Sequence, residues 1–494
     1  MKSTITFVKI LSTFFIINTV IIHAVFAQGP DTLWTKTFGG VAYENGFCVR
    51  QTSDEGYIVV GYTQSYGSGS NDVYLIKTDA DGNEQWSKTY GGTEEDRGYD
   101  VHQTSDDGYV VFGRTESFGA GLSDYYLIKT DADGNEQWSK TYGGTDYDRG
   151  NKMLISSDGG YILVGRTVSY GAGVWDIYMI KTDANGNEEW SNTYGGSNSE
   201  YGNNVLQAND GGYIIVGETE SYGVGYSDIY LVKTDSGGNE LWYKTFGDAE
   251  WDYGSSVQNT PEGGYIIAGY TWSFYAGQGY DAYLVKTDAD GNELWTRQYD
   301  GSNSDYIYEV LVTPEGDYVV GGHSLSPYQF NYDFYLFKTD KDGNVMWTQQ
   351  FGGDDDEYAR SLQQTSDGGF IMTGRTDSYG AGDGDIWLVK IVPDATGIDN
   401  DSFNDSSENN ILKQNHPNPF DHHTSISYTV PHSAFINLTV YDKNGGVIKT
   451  LVNEFKVTGT YCISFETDIS SGTYYYSIIA GNEMIETKKM LIIK

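Results

Sequence analysis

Cysteine is nearly absent from this chain. Two thiols, Cys48 and Cys462, stand in 494 residues. They are too few and too distant for a disulfide framework or a cysteine metal cluster, and a buried free thiol is the plainer role for each. Proline is scarce as well, at 8 residues against 63 glycines and 43 tyrosines. Many turns joining aromatic-rich strands give that balance. Positive charge is short: 30 basic side chains face 69 acidic ones, a formal net charge of −39. Such a surface repels nucleic acid and anionic membrane, which excludes both as partners. Long apolar runs are missing after residue 30, so no later segment is suited to span a bilayer.

What is present begins with MKSTITFVKILSTFFIINTVIIHAVFAQGP. Lys2 and Lys9 precede or flank an apolar run, and Val25-Phe26-Ala27 fits a small-residue cleavage site. Residues 1–27 therefore read as a secretory signal peptide. No cysteine follows the site, which argues against a lipoprotein anchor. The expected product is exported, and either soluble or attached by other means.

Self-comparison gives the strongest signal. Trp34, Trp86, Trp138, Trp190, Trp242, Trp295 and Trp347 lie 52, 52, 52, 52, 53 and 52 residues apart. The stretch YLIKTDADGNEQWSKTYGGT at 74–93 recurs without change at 126–145. Each unit reads as four short strands, a to d. Strand b, such as Tyr57-Ile58-Val59-Val60, is a continuous apolar run and so is buried on both faces. Face-to-face packing of four-stranded sheets, as in a β-propeller, produces that pattern. The segment DTLWTKTFGG is a d strand with no a, b or c before it, and Asp385-Ile386-Trp387-Leu388-Val389-Lys390 is a c strand with no d after it. The two complement each other. They predict a closed seven-bladed propeller over residues 28–391, whereas an open solenoid would need capping units. A parallel β-helix is the runner-up, but 52 residues is long for one of its coils.

After Lys390 the composition turns polar and acidic, and 392–411 reads as a flexible linker. Residues 412–494 show short alternating strands and predict a small immunoglobulin-like β-sandwich. The fold class is thus all-β, a propeller followed by a sandwich. The motifs NHPNPF (415–420), ISYTVP (426–431), LTVYDKNGGVIKTLVN (438–453), SSGTYYYSIIAG (470–480) and KKMLIIK (488–494) together resemble the C-terminal sorting domain of the Bacteroidetes type IX (Por) secretion system. Gly446 departs from that family, which usually has Arg after the turn glycine. The resemblance implies a route. The signal peptide leads to the periplasm, and the outer-membrane translocon then reads the C-terminal domain. That domain is typically cleaved off, and the cargo is released or attached to surface lipopolysaccharide. The sorting motif maps to Pro417, Asn418, Pro419, Phe420, Lys488, Lys489 and Lys494. More loosely, the repeats resemble the tryptophan-docked blades of quinoprotein-like propellers, with Asp79, Gly82 and Trp86 as the recurring set. That likeness does not imply a quinone.

The loop DADGNE (79–84, 131–136) suggests calcium, but it lacks the distal Glu of an EF-type loop. Its other copies, DANGNE, DSGGNE and DKDGNV, lose carboxylates while keeping Gly-Asn. A hairpin turn explains that better, and no cofactor is expected. Three columns run through the units. Ten residues after each Trp stands an acid: Glu44, Asp96, Asp148, Glu200, Asp252, Asp305 and Glu357. These acids are candidates for a cation- or sugar-binding ring at one channel mouth, or for locks that hold the blades. A second column is Asp72, Asp124, Asp176, Asp228, Asp281, Asp333 and Asp385. A third is Lys77, Lys129, Lys181, Lys233, Lys286, Lys338 and Lys390. Specificity more often lies where repeats differ, in the d–a and b–c loops of one face. There Trp251, Trp272, Tyr275 and His323 are candidate contacts to glycan or protein. No metal spacing, nucleophile elbow or phosphate loop is present, and no glycosidase pair stands out. The expectation is a non-catalytic exported propeller that binds glycan or protein. A polysaccharide hydrolase or lyase with its site at the channel mouth is the alternative.

Overall fold

The computed structural model describes residues 27–28, 30–273, 279–299, 304–326 and 331–392. In the C-terminal part it describes 412–413, 415, 418, 420, 422–430, 434–443, 447–456, 459–466, 469–480 and 483–493. The signal-peptide reading, apart from Ala27, and all of the linker except Val392 fall outside the described residues.

Seven antiparallel sheets form the first part. In blade 1 the strands are a (Glu44–Gln51), b (Tyr57–Thr63), c (Asp72–Thr78) and d (Glu84–Tyr90). Blades 2 to 6 repeat this order over 96–142, 148–194, 200–246, 252–299 and 305–351. Blade 7 takes its a, b and c strands from Glu357–Gln364, Phe370–Thr376 and Asp385–Ile391, and its d strand from Thr32–Phe38. Trp34 lies opposite Lys390 in that pairing. Ala27–Gln28 adds a short parallel strand beyond strand d of blade 6, with Ala27 opposite Trp347.

The a strands of neighbouring blades pack on one another around the ring, and blade 7 packs on blade 1. This makes strand a the innermost strand. Every residue of Tyr57–Thr63 is buried, as its unbroken apolar sequence requires. Strand d, at the outer rim, keeps exposed positions. Each strand a carries a bulge, as between Gly46 and Cys48 or between Gly150 and Lys152.

One device joins the blades. The c–d hairpin glycine of one blade lies against the strand-d tryptophan of the blade before it. At Gly82 φ is +74°, and a Cβ there would fall 2.6 Å from the Trp34 ring, so glycine is needed for the turn and for the indole. The same contact recurs at Gly134 with Trp86 and at Gly186 with Trp138. The hydroxyls of Tyr90, Tyr142 and Tyr194 add 2.6 Å hydrogen bonds to the carbonyls of Gly134, Gly186 and Gly238.

In the C-terminal part, Val447–Lys456, Ala434–Tyr441, Gly472–Ala480 and Glu483–Ile492 form one sheet, and His423–Val430 pairs with Gly459–Glu466 in another. The two enclose one core that includes Ile426, Tyr428, Leu438, Phe465, Tyr476 and Met490, so this part is a small sandwich.

Candidate functional site

The first acidic column is buried: Glu44, Asp96, Asp148, Glu200 and Glu357 are 0 % exposed, Asp252 1 % and Asp305 2 %. Their carboxylates bond to the neighbouring loops. Glu44 accepts from the Gly40 N–H at 2.8 Å, the Thr63 hydroxyl at 2.6 Å and the Ser65 N–H at 3.0 Å. Glu200 and Glu357 repeat this set. Asp96 and Asp148 accept from Gly92 and Gly144 N–H and from the hydroxyls of Ser117 and Ser169, and Asp252 accepts from the Asp248 N–H. Burial pushes Asp252 up to about 6. These acids hold the loops on that face; a ligand would have to displace their bonds to reach them. In the second column, Asp72 and Asp385 each accept two N–H groups of their b–c loop. In the third, all seven lysines pair with an acid of the a–b turn, from 2.6 Å for Lys233–Asp210 to 3.5 Å for Lys286–Glu262. In the DADGNE loop, Asp79 accepts from the N–H groups of Asp81 and Asn83 and from the Asn83 amide. Among the described residues, no group of three or more His, Cys, Asp or Glu side chains is placed to hold a metal.

The variable-loop candidates separate. Trp251 is 37 % exposed and stacks at 4.6 Å on Tyr226, which is 63 % exposed. Trp272 meets Trp251 edge-on and packs on Tyr280 at 4.9 Å. His323 is buried among Tyr306, Tyr308, Tyr332 and Tyr358, and burial pushes it down to about 3, so its ring is neutral. Tyr275 lies outside the described residues, as do Pro417, Pro419 and Lys494. Asn418 accepts from the Leu491 N–H at 2.8 Å, and buried Phe420 brackets the last strand through Leu491 and Ile493. Lys488 and Lys489 lie on that strand, Lys489 exposed.

The most informative residues are ones the sequence reading missed. The chain has eight arginines, and seven of them stand in strands a and b. Six stack on aromatic rings or pair with acids at one mouth of the channel. Arg97 lies 4.5 Å over Tyr62, Arg375 4.4 Å over Tyr358 and Arg360 4.5 Å over Tyr308. Arg166 lies 4.7 Å over Tyr201 and 5.1 Å over Trp175, and Arg149 5.6 Å over Trp175. Arg114 pairs with Glu95 and Glu116, both at 2.7 Å. Between blades 3, 4 and 5 this mouth opens a cavity of about 360 Å³ lined by Arg149, Arg166, Trp175, Tyr201, Glu218 and Tyr253, together with Glu220 and Ser227. The Ser227 hydroxyl is buried and has no partner among the described residues. Burial pushes the Glu218 carboxyl up to about 7 against the pull of Arg166.

Below this level the channel closes. Cys48, Asp100, Lys152, Asn204, Ser256, Glu309 and Ser361 follow the strand-a bulges, one per blade. Lys152 reaches Asp100 at 3.9 Å and, across the ring, Glu309 at 3.6 Å. The Cys48 thiol donates to Asp100 at 3.2 Å and the Ser256 hydroxyl to Glu309 at 2.9 Å. Lys152, Arg50 and His102 hold Asp100 far below the usual carboxylate range against the effect of its burial. The propeller mouth is therefore a cup with a charged floor, open on the face of the d–a and b–c loops.

Comparison with known proteins bears mainly on the C-terminal part. Residues 415–494 match the secretion system C-terminal sorting domain. That segment is a type IX sorting domain. It marks the chain for export to the cell surface or the medium, and no helix among the described residues is long and apolar enough to cross a membrane. Over 201 residues the chain is 25 % identical to the Regulatory protein FlaEY of Caulobacter vibrioides, a match spanning 35 % of this chain and 21 % of that protein. Among solved structures, the Pan2 WD40 domain of Neurospora crassa is similar at 10 % identity, with TM-score 0.47 over 74 % of this chain and 96 % of that one. Sqt1 of Chaetomium thermophilum is similar at 12 % identity, with TM-score 0.41 over 70 % and 82 %.

Proposed function

We propose that this exported propeller is a glycan-binding protein whose site is the cup at the channel mouth, reached over the aromatic rim. One observation carries the reading. An aromatic path runs from solvent to cavity: Tyr226 stacks on Trp251, Trp251 meets Trp272, Trp272 packs on Tyr280, and Tyr280 lies 5.8 Å from Tyr253 in the cavity wall. The exposed rings of Tyr226 and Trp251 at its outer end suit the apolar face of a sugar unit, and the polar cavity at its inner end suits one unit held by hydrogen bonds. The leader at 1–27 supplies entry to the periplasm, and the sorting domain supplies the second step. The test is a panel of soluble polysaccharides scored for binding and for product release. Binding without product is expected, with Trp251→Ala losing about tenfold in affinity. New reducing or unsaturated ends from any polymer would move the protein into the catalytic class. That second reading has one observation in its favour, the Glu218 carboxyl placed near 7 in the cavity, where it could serve as an acid or base.

A further inference from the structure

The repeat contains its own control experiment. Blade 2 carries Arg97 and Arg114 opposite each other on strands a and b, and blade 3 carries Arg149 and Arg166 at the same register positions. In blade 2 both guanidinium groups are neutralised: Arg97 pairs with Glu95 at 3.2 Å, and Arg114 with Glu95 and Glu116 at 2.7 Å. In blade 3 the positions of those two acids are occupied by Tyr147 and Val168. The backbone there is unchanged, since the Val168 N–H bonds the Tyr147 carbonyl at 2.9 Å as the Glu116 N–H bonds that of Glu95 at 2.7 Å. So the same two arginines are kept while their counter-ions are removed. Among the described residues, Arg149 and Arg166 form no ion pair and no hydrogen bond, and the Nε of each is buried without a partner. Both line the 360 Å³ cavity, which also holds the orphaned Ser227 hydroxyl.

The two guanidinium groups share the cavity with the Glu218 and Glu220 carboxyls but pair with neither, so their N–H groups stay available to an anion placed between them. Burial depresses Arg149, and repulsion from Arg114 and then Arg166 adds to it. Stacking on Trp175 and Tyr201 fixes the guanidinium planes, which leaves their edges free to donate paired N–H bonds to an oxyanion.

We propose that the cavity recognises an anionic sugar unit, its carboxylate or sulfate group taking the place that Glu95 and Glu116 occupy in blade 2. This rests on the glycan reading of the cup and narrows it to acidic polysaccharide. The ring of the sugar lies in the cavity beside Tyr253, and the charged group lies between Arg149 and Arg166.

The experiment compares four soluble polymers by calorimetry on the full chain: a polyuronate, the same polyuronate with its carboxyls reduced to alcohols, a neutral glucan, and a sulfated form of that glucan. The polyuronate or the sulfated glucan should bind at least about tenfold more tightly than its uncharged parent, the scale of one charge-assisted pair. Whichever of the two does so names the group. The decisive variant is Val168→Glu combined with Tyr147→Glu, which restores the pattern of blade 2. Its melting temperature should not fall, and its preference for the charged polymer should vanish. Arg166→Gln should lower the same preference without the added acids. Equal binding of charged and uncharged polymers overturns the anionic inference and leaves the glycan reading standing. Failure of all four to bind overturns both.

Discussion

Glu218 faces Arg166, Glu220, Tyr253, Tyr270 and the Asn203 amide, which donates to it at 3.3 Å. Burial raises its folded-state value from 4.5 to about 7. The folded protein thus holds this proton where the unfolded chain has lost it. The stability it contributes is complete below about 4.5 and is lost as pH rises through about 7. Glu218→Gln should therefore melt increasingly above the parent as pH climbs across that window, and match it in acid; melting curves at a series of pH values check this. For an acidic ligand the sign is the same. A neutral Glu218 leaves Arg149 and Arg166 unopposed, so affinity should fall between pH 5.5 and 8.5, and Glu218→Gln should flatten the fall. At this scale the sequence was only half legible. The acids of the Glu44 column were visible because they are invariant. Invariance alone could not say that Glu44 is fully buried with its oxygens bonded to Gly40, Thr63 and Ser65. Arg149 and Arg166 left a fainter trace, a basic residue directly after the column acid and another in the sequence Gly-Arg-Thr. It is legible only by comparison with Glu95 and Glu116 one repeat earlier.

Elements were easier to read. The tryptophan spacing marks strand d, and the indole has a physical reason to recur, because it fills the space that Gly82 and its equivalents leave open in the next blade. The continuous apolar strand b announces burial on both faces. What the sequence hid is the bulge in every strand a, since the extra residue breaks no hydrophobic pattern. The bulge precedes the floor residues, among them Lys152 and Glu309, and so bears on the depth of the cup. Thr32–Phe38 is the element with the most at stake, because it alone completes blade 7. A chain lacking residues 28–38 should lose several degrees of melting temperature and bind a synthetic peptide of that sequence, with partial recovery on titration. Recovery equal with a scrambled peptide would show that the strand has no specific seat.

For the whole molecule, charge acts at two ranges. The net charge of −39 repels a polyanion at a distance, while the arginine cup attracts it within a few ångströms. Raising salt from about 0.01 to 0.1 M shortens the reach of the distant term before it weakens the buried contact, so association with an acidic polymer should become faster, not slower, as stopped-flow mixing would register. Export should depend on the last domain: truncation after Val392 should leave the propeller in the periplasm, as fractionation and immunoblotting would detect. The closing strand of blade 7 also sets an order of events. Thr32–Phe38 is synthesised before the strands of the first six blades, and its partner Asp385–Ile391 after them. Through that interval it is a strand with a bare edge, open to pairing with any passing chain. The ring is thus vulnerable until its last blade is made, and a chaperone that shelters one short segment would protect the entire assembly.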